Sequence, residues 1–262
     1  IGAKRPWGTL VHKIAVHPDH RRQGHGRHLL ASLGSKLAIL GPPRIVAEVP
    51  ETLAPACELF SASGYVQEAL LTDYVLEHAD AAREVVPESR VPSAGTRAVS
   101  PESRVPGFVI PVTVDDLAAN GLLEEAHPRV CWERSVATLN ARKHDIAGLA
   151  VASDERIEAY VLYVTCGMNP PTFALGRQRE LRQDLAGALG ESGETEILSL
   201  RSLIDDGGIR LKQLLAPLRA RGMDTIRFPK VHPDEISKEW LETSGFRPTG
   251  EHRLYATTAR SA

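Results

Sequence analysis

The sequence predicts an α/β chain of the α+β kind, made of two related units, each a mixed, mostly antiparallel sheet flanked by helices. Three observations carry that expectation. A strand–turn–helix passage runs from Val11 to Leu37, a segment ending the first unit recurs 181 residues later, and a stretch rich in Pro, Ser, Arg, Glu and Ala separates the copies.

The strand–turn–helix passage is the most specific of the three. An apolar strand is expected to end at Val16, followed by the polar turn His17-Pro-Asp-His-Arg-Arg-Gln23 and two glycines flanking His25. Leu29, Leu30, Leu33 and Leu37 then recur at helical spacing, as a half-buried helix requires. Gly24 and Gly26 remove side chains where the backbone approaches a partner. Successive N–H groups at a helix start cradle an anion with the help of the helix dipole. Arg21, Arg22 and Arg27 add positive charge around that point. The passage therefore reads as a pyrophosphate-binding turn; its bland alternative is a strand-to-helix turn with solvated arginines.

Glu58-Leu-Phe-Ser-Ala-Ser-Gly-Tyr65 closes the first unit and is matched by Glu239-Trp-Leu-Glu-Thr-Ser-Gly-Phe246, an offset of 181 that still holds between Tyr74 and Tyr255. In both copies a helix ends on a glycine, where left-handed geometry is cheap, and an aromatic residue opens an expected hairpin of alternating apolar residues. Between the copies, residues 79–107 lack apolar periodicity, and Pro87-Glu-Ser-Arg-Val-Pro92 recurs as Pro101-Glu-Ser-Arg-Val-Pro106. Such a prolyl segment favours extended conformations and reads as a linker.

In the second unit the expected elements follow in order. Phe108 to Val112 is a strand and residues 115–140 are helical, with an acidic start at Asp115-Asp116. Leu149–Ser153 and Ile157–Val164 form a hairpin turning at Asp154-Glu155. Residues 176–189 read as an inserted helix, and Glu196–Leu200 as the central strand. The turn Asp205-Asp-Gly-Gly208 precedes a helix carrying Leu211, Leu214, Leu215 and Leu218. A strand over Thr225–Phe228 and a helix over Asp234–Thr243 complete the unit.

Composition narrows the function classes. With 262 residues and a net charge of −2, the chain fits one large or two ordinary domains and argues against a nucleic-acid binder. Cys57, Cys131 and Cys166 are too few and scattered for a disulfide framework or a zinc site, so no metal and a cytoplasmic location are expected. No apolar stretch approaches a membrane span, and no membrane partner is expected. The first residue is isoleucine.

Leu29 breaks a G-x-G-x-x-G fingerprint, and no Gly-Lys-Ser/Thr is present. Arg21, Gly24 and Gly26 instead meet the Arg/Gln-x-x-Gly-x-Gly/Ala signature, which resembles that of the GNAT superfamily of N-acetyltransferases, and Ile14-Ala-Val-His-Pro18 resembles the strand entering that family's coenzyme A loop. The resemblance implies a first GNAT domain over 1–78, a linker over 79–107 and a second GNAT-like domain over 108–262. In the second copy Ile204-Asp-Asp-Gly-Gly208 replaces the basic loop, and two carboxylates there would repel a pyrophosphate, so that copy reads as degenerate. The first copy starts near its central strand, and the elements that precede it in a complete member are expected to lie before Ile1.

What the resemblance implies for chemistry is acetyl-CoA as co-substrate and an amine acceptor, small molecule or peptide, attacking the thioester directly. Ile14, Ala15 and Val16 would pair with the pantetheine arm, and the backbone from Arg22 through Gln23, Gly24, His25 and Gly26 to Arg27 would hold the pyrophosphate, with Arg21, Arg22 and Arg27 adding charge. His12, on the central strand and of suitable intrinsic pKa, is the candidate base, with an imidazole merely packed at a strand edge as its alternative. The family's thiolate-protonating tyrosine and helix asparagine fall on Phe60 and Leu53, which cannot serve, leaving Tyr74 as the remaining hydroxyl. A catalytically weak acyl-CoA sensor or scaffold is the competing function, a binder of another phosphate ligand a third, and a homodimer a possible assembly.

Overall fold

The computed structural model describes residues 2–77, 108–123, 130–166, 194–220 and 225–259. The expected linker and the expected helix over 176–189 lie outside the described residues.

The first half contributes β1 (Gly2–Arg5), β2 (Gly8–Val11), α1 (His25–Leu40), β3 (Arg44–Pro50), α2 (Ala54–Ala62) and β4 (Val66–Glu77). The second contributes β5 (Phe108–Val112), α3 (Val114–Ala119), α4 (Val136–Ala141), β6 (Ala147–Ala152), β7 (Ile157–Cys166), β8 (Glu194–Ser202), α5 (Ile209–Ala220), β9 (Thr225–Val231), α6 (Lys238–Thr243) and β10 (Arg247–Thr258). Among the described residues no helix is long and apolar enough to cross a membrane.

Several local expectations are corrected. Among the described residues the helical reading of 115–140 resolves into two short α-helices; α3 is opened by a capping box in which Thr113 and Asp116 satisfy each other's backbone donors. Leu29 is exposed, and the buried stripe of α1 is Leu30 and Leu37. The strand expected to reach Val16 ends at Val11, because β2 finds a parallel partner in β3 only at Thr9–Ile45 and Leu10–Val46. Among the described residues no final hairpin forms in either half: the alternating residues after Tyr65 and Phe246 make one twelve-residue strand each, β4 and β10.

All ten strands form one sheet in the order β1-β2-β3-β10-β4-β9-β8-β7-β6-β5. The last strands of the halves are exchanged. β10 lies antiparallel to β3, with Tyr255 opposite Ala47, while β4 lies antiparallel to β9, with Tyr74 opposite Phe228. The arrangement is two-fold symmetric in sequence: adding 181 to the bounds of β3 and β4 yields those of β9 and β10. Where β4 and β10 pair with each other, Leu71 faces His252, its own counterpart at that offset.

Core composition follows the exchange. Val11, Leu30, Leu37, Ile45, Ala47, Val49, Cys57 and Phe60 pack with Tyr255 from β10. Tyr74 and Leu76 of β4 pack instead with Leu149, Val161, Ile197, Leu214, Leu218, Ile226 and Phe228 of the second half. On the opposite face of the first half, Leu10, Val46, Leu71, Leu254 and Ala256 are covered by Cys131 and Trp132 of the second half. Each half therefore buries side chains belonging to the other, each such apolar side chain contributing about 1.5–3 kcal/mol.

Candidate functional site

Two helix N-termini stand at equivalent places, α1 in the first half and α5 in the second, and they differ in what reaches them. At α1, Gly24 is the N-cap with φ +84° and no side-chain cap. A Cβ built on it meets nothing within 4 Å. Arg22 also has a positive φ, 63°. With no side chain on the first-turn donors, an open cradle for an anion results.

At α5 the cradle is filled from within. The Asp206 carboxylate accepts hydrogen bonds from the N–H of Gly208 at 2.9 Å and of Arg210 at 3.0 Å, and is paired with the Arg210 guanidinium at 2.8 Å. Burial alone would raise this carboxyl; those hydrogen bonds outweigh it and hold it below the ordinary aspartate value. Glu158 engages Arg210 from the other side. Trp240 of α6 lies against Gly208 so closely that a Cβ there would stand 1.8 Å from its Nε1. At the equivalent place in the first half stands Leu59, 3.1 Å from a Cβ built on Gly26. The second unit's acidic turn does more than repel an anion: it supplies one.

Beside the open cradle, residues 12–16 follow β2 and belong to no strand. His12, Lys13 and Ala15 are exposed and Ile14 and Val16 half-buried. Among the described residues no backbone hydrogen bond engages Ile14 or Ala15, whereas the Val16 carbonyl accepts one from Arg21 Nε at 3.3 Å. Gln23 turns its amide back to the Asp19 carbonyl at 3.1 Å. Arg22 lies 3.6 Å from Glu58, both well exposed, a contact worth little in solvent. His25 stands edge-on to His20, whose ring also neighbours His17, so three imidazoles border the loop.

Tyr74 requires a correction. The exchange of β4 carries it into the second half's core, 3% exposed and opposite Phe228, in a different cluster from the one that holds Ile14. Tyr255 takes the corresponding place in the first half, stacked on Phe60 with centroids 5.8 Å apart and its hydroxyl 3.5 Å from Ser61 Oγ. Ser61 is exposed, and Leu59 of α2 lies against Gly26 at the start of α1. Leu53 is exposed at the start of α2 and caps nothing.

Residues the sequence reading missed meet where the halves join. The Glu48 carboxylate, 3% exposed, accepts the Trp132 N–H at 2.6 Å and the Lys230 ammonium at 2.8 Å; the same ammonium reaches Glu133 at 3.1 Å. Burial pushes the Glu48 carboxyl above the ordinary glutamate value against the pull of Lys230. Burial also pushes the Cys131 thiol to about 12. Glu48, Cys131 and Glu133 bring potential ligand atoms within 4.8 Å of one another. With a protonated thiol and an ammonium between the carboxylates, the group is built as a salt bridge joining the halves. The signal for it was a lone carboxylate in the apolar run Ile45-Val-Ala-Glu-Val49.

Residues 1–65 match the family model described as Acetyltransferase (GNAT) family. No curated protein matches the chain. Among solved structures, the fold is shared with a tandem GNAT protein from the clavulanic acid biosynthesis pathway, at 16% identity and a TM-score of 0.53, covering 97% of this chain and 76% of that one. A GCN5-related N-acetyltransferase from Sphaerobacter thermophilus is similar at 13% identity and 0.53, covering 99% and 76%. A putative acetyltransferase from Pyrococcus horikoshii is similar at 13% identity and 0.54, covering 99% and 68%.

Proposed function

We propose that this chain is a GNAT-superfamily protein, its first half an acetyl-CoA-dependent N-acyltransferase and its second half a structural partner, a reading supported by the family match over residues 1–65 and by the fold shared with a tandem GNAT protein. One observation carries the reading: the α1 N-terminus is open beside Ile14 and Ala15, whose backbone makes no hydrogen bond among the described residues, while the equivalent α5 terminus is occupied by Asp206 and covered by Trp240. In this reading the N–H groups from Arg22 to Arg27 hold the pyrophosphate and Arg21, Arg22 and Arg27 supply charge. The free backbone of Ile14 and Ala15 pairs with the pantetheine arm as an added strand.

The acceptor is an amine-bearing molecule. Its nitrogen attacks the thioester carbonyl carbon, the C–N bond forms as the C–S bond breaks, and coenzyme A leaves as thiolate. His12, exposed at the end of β2, takes the ammonium proton directly or through water. Phe60 offers no hydroxyl, and Tyr74 is buried in the other half, so water is the proton source for the departing thiolate. The domain division at 1–78, 79–107 and 108–262 fits this reading as one of ancestry, with β4 and β10 crossing between the halves.

Release of free thiol from acetyl-CoA with a panel of primary amines tests the activity. In the presence of an accepted amine, His12→Gln is expected to lower kcat about 100-fold, the low end of a general-base effect, with the KM for acetyl-CoA unchanged. Equal kcat in the variant would remove His12 from the mechanism. Acetyl-CoA binding with no turnover of any amine would favour the sensor reading.

A further inference from the structure

A second cavity, of about 270 Å³, lies between the halves, away from the α1 cradle. Its walls are largely apolar: Trp7 from the β1–β2 turn, Leu139 of α4 and the ring of Tyr160 on β7. Its polar lining includes Ser199 and Arg201 on β8, and Arg134 and Ser135 from the turn that also covers the first half. Trp7 precedes β2 and His12 follows it, so the length of that strand, roughly 15 Å at strand rise, separates the cavity from the proposed reaction centre.

The charges in this cavity are unbalanced. Arg134 has a side chain 2% exposed; its Nη2 donates to Glu235 at 2.9 Å and to the Lys230 carbonyl, and its guanidinium lies over the Phe228 ring at 4.9 Å. Its Nε and Nη1 are buried with no acceptor among the described residues. Leaving such donors unpaired costs about 1–3 kcal/mol each, more for a charged group. Glu235 neutralises Arg134, but Arg201 makes no ion pair among the described residues. The cavity thus carries one uncompensated cation and surplus guanidinium donors against apolar walls.

We propose that this cavity binds a small amphipathic monocarboxylate, an aromatic or branched aliphatic acid whose carboxylate meets Arg201 and the free N–H groups of Arg134 and whose apolar part lies against Trp7 and Leu139. A carboxylate supplies the two acceptor oxygens a guanidinium fork matches. The volume, just under the range of drug-sized sites, limits the ligand to on the order of ten heavy atoms. The site is independent of the acyl-transfer reading. The ligand is not the acceptor, since the cavity stands a strand's length from His12.

Titration of the full chain with 3-phenylpropionate and 4-methylpentanoate, followed by tryptophan fluorescence and calorimetry, tests this. Binding by at least one acid is expected, at least tenfold weaker for the matching amide. Arg201→Gln, at a half-buried position with no ion pair to break, is expected to weaken it at least tenfold while leaving the ligand-free Tm and acetyl-CoA binding unchanged. Trp7→Phe is expected to abolish the fluorescence change but not the calorimetric heat. Failure of both acids to bind, equal affinity for acid and amide, or unchanged binding in Arg201→Gln would each overturn the proposal, whatever the fate of acetyl-CoA.

Discussion

Cutting the chain within residues 79–107 is expected to give two fragments that fold together and not apart. Alone, the first fragment would expose the full edge of β3 and leave its core without Tyr255, while the second would lose β4, Tyr74 and Leu76 and expose β9. Removing a central strand takes away more than the 5–15 kcal/mol by which a domain is ordinarily stable, and a bare central edge invites aggregation. Co-expressed, the fragments are expected to purify as a one-to-one complex with a single cooperative melt. A cooperative melt in each isolated fragment would mean that the halves complete their own sheets and that the exchange of β4 and β10 is wrong.

The second large effect is expected at Glu48. Replacing it by alanine leaves Lys230 with only the partly exposed Glu133 and the Trp132 N–H without its acceptor. Removing one partner of a buried pair costs about 3–5 kcal/mol, whereas replacing both by apolar residues of similar size is often neutral. Glu48→Ala is therefore expected to lower stability by about 4 kcal/mol, and Glu48→Leu with Lys230→Met to restore most of it. Denaturant unfolding distinguishes the cases. A Glu48→Ala protein within about 1 kcal/mol of the parent would show that the bridge does not hold the halves together.

Much of this architecture was legible because it is written locally. The 181-residue offset, the glycine-ended helices and the Arg21–Gly26 turn each declare themselves within a few residues, and the offset reproduces the bounds of β3, β4, β9 and β10. What was not legible is partnership. β4 and β10 carry the same alternation, so either satisfies the edge of β3 or β9 equally well by pattern, and nothing near Tyr74 or Tyr255 says which core each will enter. The same limit misplaced the end of β2: Ile14-Ala-Val16 is apolar enough for a strand, and only the divergence from β3 after Leu10–Val46 leaves it unpaired. Asp206 was visible as a charge that excludes phosphate; that it turns onto the α5 N–H groups depends on the positive φ of Gly207 and Gly208 and on Arg210. Glu48 interrupts an apolar strand and was passed over, because its partners Lys230, Glu133 and Trp132 are 182, 85 and 84 residues away.

The central claim is that one half holds acetyl-CoA and the other has closed its own site. Calorimetric titration of the full chain with acetyl-CoA, repeated on Gly24→Glu, tests it most directly. The claim predicts one molecule bound per chain. In the variant, affinity should fall at least 100-fold, about 2.7 kcal/mol, while stability falls by only the 1–2 kcal/mol of a side chain at positive φ. Two molecules per chain, or one retained by a folded Gly24→Glu protein, would contradict it.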